Sequence, residues 1–161
     1  MLNIRTAEAS DFDSIWEIFR AVVRRGDTYA YDPGTTREQA RAIWMAEGLE
    51  TFVATMNERV AGTYILKANQ TGLGAHVANA GYMVRPDCQG KGVGRALCEH
   101  SIEEARRRGF LAMQFNLVVS TNRGAVALWE KLGFNVVGTL PKVFRHAKLG
   151  LVDAFVMHRF L

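Results

Sequence analysis

Cysteine is scarce in this chain: Cys88 and Cys98 are the two thiols among 161 residues. One stands beside a glycine-rich stretch and the other inside a predicted helix, which is no disulfide framework, and metal-ligand spacing is missing around them. Hydrophobic runs are short as well. None approaches the roughly 18 apolar residues that a membrane span requires, and the N-terminal M-L-N-I-R-T has neither the charged nor the apolar region of a signal peptide. A cytoplasmic protein with no membrane partner is the expectation. Charge of one sign is also lacking, because the net charge is only +4. Its densest run, Arg106-Arg107-Arg108, falls at a predicted helix end, where cations complement the dipole. Nucleic acid is therefore not expected as a partner. With 48% hydrophobic and 22% charged residues, and no repeats, the chain is expected to form one domain, residues 1–161.

What is present is organised around Tyr82 to Leu97, Y-M-V-R-P-D-C-Q-G-K-G-V-G-R-A-L. The stretch reads as a strand end, a short loop and the first turns of a helix. Gln89, Gly92 and Gly94 form Q-x-x-G-x-G, and Gly90 adds a further glycine. The first N–H groups of a helix have no partner inside it and carry partial positive charge, so bare backbone there is an anion-binding surface. Glycines let a phosphate come close, and Lys91 and Arg95 add full charges. A pyrophosphate is the expected ligand. A P-loop is excluded because Lys91 precedes Gly92 with no Ser or Thr following. Gly90-x-Gly92-x-Gly94 also lacks the spacing of a dinucleotide fingerprint.

The remaining chain reads as alternating elements. Residues 2–6 predict a short strand. Ser10 and Asp13 then form an S-x-x-D start for a helix with Phe12, Ile15, Trp16, Phe19, Val22 and Val23 on one face. Gly26 to Gly34 is a polar, aromatic loop holding Tyr29 and Tyr31. Thr36-x-x-Gln39 opens a second helix with Ala40, Ile43 and Trp44 inward. Residues 51–56 and 60–68 predict a hairpin turning at Asn57-Glu58-Arg59, and 75–84 a third long strand. The helix after the glycine turn runs from about Lys91 to Arg108, with Gly109 as its C-terminal stop. A strand over 110–118 follows. Ser120 is an N-cap candidate for a helix with Ala125, Leu128, Trp129 and Leu132 on one face, ended by Gly133. Strands near 134–140 and 151–160 close the chain.

The glycine turn resembles the acyl-CoA-binding motif of the GNAT superfamily of N-acetyltransferases, Q/R-x-x-G-x-G/A after a V-x-P strand end, here Val84-Arg85-Pro86. A second stretch, N-R-G-A-V-A-L-W-E-K-L-G-F from Asn122 to Phe134, resembles that family's N-x-x-A-x-x-L-Y-E-K-x-G-F. The order βααβββαβαββ is also that of the family. The resemblance implies an α/β (α+β) GNAT fold, a mixed, mostly antiparallel twisted sheet of about seven strands flanked by about four helices. The runs H-V-A-N-A-G-Y-M-V, M-Q-F-N-L-V-V-S-T-N and F-R-H look like the fungal azetidine-2-carboxylate acetyltransferases and, more loosely, phosphinothricin acetyltransferases. Both acylate the amine of small amino-acid-like compounds. The implied activity is direct acetyl transfer from acetyl-CoA, without a metal, to a small-molecule amine or amino acid, by an enzyme that forms a homodimer. The rival reading is a non-catalytic acyl-CoA sensor.

The resemblance also assigns residues. Met83, Val84, Gln89, Gly90, Lys91, Gly92, Val93, Gly94, Arg95, Asn122 and Trp129 are expected to contact acetyl-CoA, with a backbone N–H near Met83 meeting the thioester oxygen. The N–H groups of Met83 and Val84 are expected to pair the pantetheine. An amine with a pKa near 10 is neutral about one part in a thousand at pH 7, so supplying the neutral form costs roughly 4 kcal/mol. The family's usual base, a Glu on the fourth strand, is here Asn79, and its usual acid, a Tyr, is Trp129. Asn79 and Asn116 are expected to orient water or acceptor across the cleft, with Tyr82 or Tyr64 as substitute acid. Tyr29, Tyr31, Arg145 and His146 are candidate acceptor contacts. His76 and His146 are the histidines considered as bases, and Cys88 is not needed as a nucleophile for direct transfer.

Overall fold

The computed structural model describes residues 1–161. Its elements are β1 (Leu2–Thr6), α1 (Phe12–Arg24), α2 (Arg37–Trp44), β2 (Glu50–Met56), β3 (Arg59–Ala68), β4 (Val77–Val84), α3 (Val93–Arg107), β5 (Ala112–Val119), α4 (Arg123–Lys131), β6 (Asn135–His146) and β7 (Gly150–Phe160). The seven strands form one sheet in the order β1-β2-β3-β4-β5-β7-β6. All neighbours are antiparallel except β4 and β5. The sequence order βααβββαβαββ and the mixed seven-stranded sheet are thus as read from the sequence. No helix is long and apolar enough to cross a membrane.

Strand alternation sends side chains to two cores. On one face Phe12, Ile15, Ile18 and Phe19 of α1 and Trp44 of α2 pack over Val53, Ile65 and Met83. On the other, Leu97, Cys98 and Ile102 of α3 pack over Tyr64, Leu66, Ala80, Met113 and Phe115. Removing each large apolar side chain from water contributes roughly 1.5–3 kcal/mol, so each helix is held by its buried stripe. Gly62 keeps α3 close to the sheet, because a Cβ there would stand 2.9 Å from Val93 Cγ1 and 3.1 Å from Met83 O.

Several local readings need correction. The chain enters α1 through a 3-10 turn, Ala9–Asp11, with Asp11 rather than Ser10 as the residue before the helix, and the Asp11 side chain secures that turn. Its Oδ2 accepts from Glu8 N–H and Arg5 Nη1, and its Oδ1 from Arg5 Nη2. Trp16 is half-buried, and Ile18 takes its expected place in the core. The capping box of α2 forms as read, with Thr36 Oγ1 accepting from Gln39 N–H. The β2–β3 hairpin turns on Asn57 and Glu58, both at positive φ (51° and 62°), as in a two-residue turn that suits strand twist. Ser120 does not cap α4; Asn122 does, its Oδ1 accepting from Ala125 N–H at 3.4 Å. Finally, β6 continues to His146, so Arg145 and His146 lie on a strand.

Candidate active site

The segment leaving β4 is fixed before it reaches the glycines. Arg85 is buried, and its Nε donates to Val60 O at 2.8 Å while Nη1 meets Glu17 Oε2 at 2.9 Å. The Asp87 carboxylate next to it pairs with Arg59, which lowers its pKa. From this anchor the chain passes Gly90 (φ 75°) and Gly92 (φ 81°), both in the left-handed region that glycine accepts readily. Gly92 is the N-cap of α3. The N–H groups of Gly90, Lys91, Gly92, Val93, Gly94 and Arg95 donate to no backbone acceptor in the protein; the first to do so beyond them is Ala96, to Gly92 O. Side chains leave the concavity open, since nothing lies within 4 Å of a Cβ at Gly90 or Gly92. Such an array of free N–H groups at a helix start suits an anion.

Beside the turn the sheet divides. Strands β4 and β5 pair only at Val77–Ala112 and Ala78–Met113, and β5 bulges between Phe115 and Val118 where it pairs with β7. Beyond that seam they part, and a cavity of about 840 Å³ opens between them. Direction along β4 decides which main-chain groups face it. Asn69 N–H donates to Val77 O and Arg85 N–H to Ala61 O, each at 2.8 Å, so the odd-numbered residues of β4 exchange bonds with β3. Ala80, Tyr82 and Val84 therefore turn their N–H groups towards the gap. This corrects the reading of Met83: its N–H belongs to the β3 ladder, and Tyr82 and Val84 are the residues able to pair an extended ligand as a strand would. Met83 still belongs to the residues that line the cavity, with its side chain buried in the core under α1 and α2.

One end of the cavity is formed by Val84, Gln89, Gly90, Gly92, Val93, Gly94, Arg95, Asn122 and Trp129; the other by Thr28, Tyr29, Tyr31, Trp44, Lys67, Asn79 and Asn116. Tyr29 reaches over Gly81 from the α1–α2 loop, and its hydroxyl donates to Tyr82 O at 2.8 Å. Its ring stacks on Tyr31 at 5.6 Å and meets Trp44 edge-on. Burial raises the pKa of both tyrosines, so each stays a phenol. Asn79 sits where the strands diverge, its Nδ2 donating to Gln114 O at 2.9 Å across the seam. Gln114 Nε2 donates to Asn116 Oδ1, and Asn116 Nδ2 to Asn69 Oδ1. A chain of amides thus closes this end.

Other expected residues stand elsewhere. The Tyr82 hydroxyl lies under the sheet against Ser101 Oγ at 2.7 Å, and burial there raises its pKa. The Tyr64 hydroxyl is held by His100 Nδ1 at 2.8 Å. Neither faces the cavity as an acid. Lys91 contributes its N–H to the turn but its side chain is outside the lining, as are Arg145, His146 and His76. His146 Nδ1 instead accepts from Lys148 and Leu149 N–H in the β6–β7 turn. Cys88 lines the cavity as a buried thiol, whereas burial pushes the Cys98 thiol up to about 12. Sequence reasoning missed Arg25, Thr28 and Lys67 in the lining. The alternation that puts Ile65 opposite Gly81 puts Lys67 opposite Asn79, a signal readable once β3 and β4 are paired. No group of three or more His, Cys, Asp or Glu is arranged to hold a metal ion.

A free-amide turn at a helix start, beside a gap between parted strands, is the geometry of an acyl-CoA-dependent transferase. Residues 12–134 match the family model described as the acetyltransferase (GNAT) family, and the chain belongs to that family of N-acetyltransferases. The N-acetyltransferase aca1 of Schizosaccharomyces pombe is 30% identical over 151 residues, covering 83% of this chain and 72% of that protein. The ribosomal protein bS18-alanine N-acetyltransferase of Escherichia coli K12 is 40% identical over 74 residues, which are 46% of this chain and 49% of that one. Among solved structures, a GCN5-related N-acetyltransferase from Kribbella flavida shares 48% identity at a TM-score of 0.95, with 99% of this chain and 98% of that chain covered. The structure of yncA from Salmonella typhimurium with its cofactor acetyl-CoA shares 28% identity at a TM-score of 0.87, covering 100% and 94%.

Proposed function

We propose that this N-acetyltransferase moves the acetyl group of acetyl-CoA directly to the amine of a small molecule, with both substrates bound in the one cavity. The observation that carries the reading is the continuity of that cavity from the free N–H groups of Gly90 to Arg95, past those of Tyr82 and Val84, to the pocket under Tyr29 and Asn79. In this reading the turn holds the diphosphate and Arg95 and Asn122 flank it. Val84 and Tyr82 offer N–H groups to the pantetheine and the thioester oxygen, where developing negative charge is stabilised most. The amine nitrogen bonds to the acetyl carbon, the carbon–sulfur bond breaks, and CoA leaves as the thiolate while the ammonium proton goes to water. Trp129 packs against Tyr82 and Phe115 at ring distances of 5.1 and 5.3 Å, which supports a wall rather than an acid. A thiol with an ordinary pKa of about 8.5 leaves tolerably without one.

The cavity lining contains no Asp, Glu or His. The chain offers no side chain there to hold the amine's proton, so the acceptor must arrive neutral or lose its proton to water. Turnover at subsaturating acceptor should therefore rise about tenfold per pH unit up to the acceptor's own pKa. The test is release of CoA thiol from acetyl-CoA over a panel of amines and amino acids, with calorimetry of acetyl-CoA binding alongside. Tight binding with no thiol release on any acceptor would sink the reading. Two free, buried thiols support work in a reducing cytoplasm. The long outer strand β6, with Val137 and Val143 exposed, supports pairing with a second copy as a homodimer, which sedimentation tests.

A further inference from the structure

We infer that the acceptor is a free amino acid whose carboxylate is met by Lys67, and that Lys67 separates such acceptors from the N-terminus of a polypeptide. The inference rests on the acetyl transfer proposed above and specifies its acceptor. The charge distribution at the acceptor end is one-sided. Its lining holds no carboxylate and two cations, Arg25 and Lys67. Arg25 is already matched, with Nη2 at 2.9 Å from Asp27 Oδ2. Lys67 enters none of the protein's ion pairs.

Its position is built into the sheet. Lys67 pairs in register with Asn79, so the two side chains leave neighbouring strands on the same face, about 5 Å apart at their Cβ atoms. That is the face from which Tyr29 approaches Gly81. The other polar groups there are the hydroxyls of Thr28, Tyr29 and Tyr31, that of Tyr29 donating to Tyr82 O, and the amides of Asn79 and Asn116, which bond to Gln114 and Asn69 behind them. They carry no charge, so the field of Lys67 is not cancelled by a neighbour. A plain cationic amine entering this end meets a like charge and no counter-ion. An amino acid brings its own carboxylate, and its ammonium is then no longer the uncompensated charge. A polypeptide N-terminus carries an amide where the amino acid has its carboxylate, and so gives Lys67 no anion to hold.

The experiment compares acceptors that differ only in that group. The purified protein with saturating acetyl-CoA is assayed on the L-amino acids, and each acceptor found is assayed again as its carboxamide and as its dipeptide with C-terminal glycine. Lys67→Met and Lys67→Arg are measured beside the parent. Comparing variant with parent on one acceptor cancels the different pKa values of acid and amide amines. We expect Lys67→Met to lower kcat/KM for the acid about tenfold more than for the amide, equal to about 1.4 kcal/mol, and Lys67→Arg to restore most of the difference. Equal losses on acid and amide, or no loss on either, would overturn the role of Lys67 while leaving acetyl transfer intact. Turnover of dipeptides in preference to amino acids would overturn the acceptor class. Turnover of none of these acceptors would overturn this inference, while the acetyl transfer beneath it falls only if the wider panel of amines also releases no CoA thiol.

Discussion

Replacing Gly92 separates backbone strain from charge at the proposed diphosphate site. The residue caps α3 at φ 81° and ψ 0°, and no atom stands within 4 Å of where its Cβ would be. Gly92→Ala therefore adds strain without a clash, about 1–2 kcal/mol for a side chain in the left-handed region. For a chain of this length that lowers Tm by roughly 2–8 °C. Gly92→Glu and Gly92→Lys carry the same strain with opposite charges. Two like charges 4 Å apart repel by about 1 kcal/mol in water and about 4 kcal/mol at an effective dielectric of 20. The Glu variant should thus bind acetyl-CoA at least about fivefold more weakly than the Ala variant, and the Lys variant at least as well as Ala. Calorimetric titration at 0.1 M and 1 M salt supplies the control, because the screening length falls from about 10 Å to about 3 Å and the gap between Glu and Lys should close. If the three variants melt alike and bind alike at low salt, the turn is not where the anion sits.

Asn79→Ala should reduce turnover well beyond its effect on acetyl-CoA affinity, since it removes the bridge from β4 to Gln114 O; steady-state kinetics beside calorimetry reads both. Tyr29→Phe keeps the ring stacked but strips the hydrogen bond to Tyr82 O, costing about 0.5–1.5 kcal/mol, seen as a lower urea midpoint. Gly62→Ala drives a methyl against Val93, Leu97 and Met83 O, and overpacking of about 1–3 kcal/mol should appear as a Tm lower by roughly 2–12 °C. His100 titrates below its ordinary 6.5 because burial disfavours its charged form. The unfolded chain therefore takes up the proton first, and stability that is full above pH 6.5 is lost as pH falls through the lowered pKa. Urea midpoints between pH 8 and 5.5 should decline, and His100→Gln should flatten that part of the curve.

The architecture was legible because its signals are local. Thr36 and Gln39 announce a capping box from four adjacent residues, and the glycine turn states its own need for positive φ. What escaped depends on partners from distant segments. Asp11 outranks Ser10 at the start of α1 because Arg5, on β1, reaches across to it. The second half of β6 shows no alternation because an outer strand buries few residues on either face; Phe144 alone is buried in Asn135–His146. The direction of Met83 N–H follows from the β3 register, which no motif encodes. Tyr82 looks like an acid in sequence, yet the same alternation turns its ring towards α3 and its main chain towards the cavity.

The two-rung seam between β4 and β5 also has a mechanical meaning. Strand pairing joins β1–β4 to β5–β7 only at Val77–Ala112 and Ala78–Met113, with Leu111 N–H donating to His76 O beside them, so the remainder of the join depends on the amides of Asn79 and Asn116 that cross it, on α3 and on the side chains packed beneath it. A molecule lying in the wedge would give Tyr82 and Val84 the acceptors a neighbouring strand withholds. Loading the protein would then complete its sheet, and deuterium uptake should slow selectively at those amides while the β2–β3 ladder keeps the rate it already had.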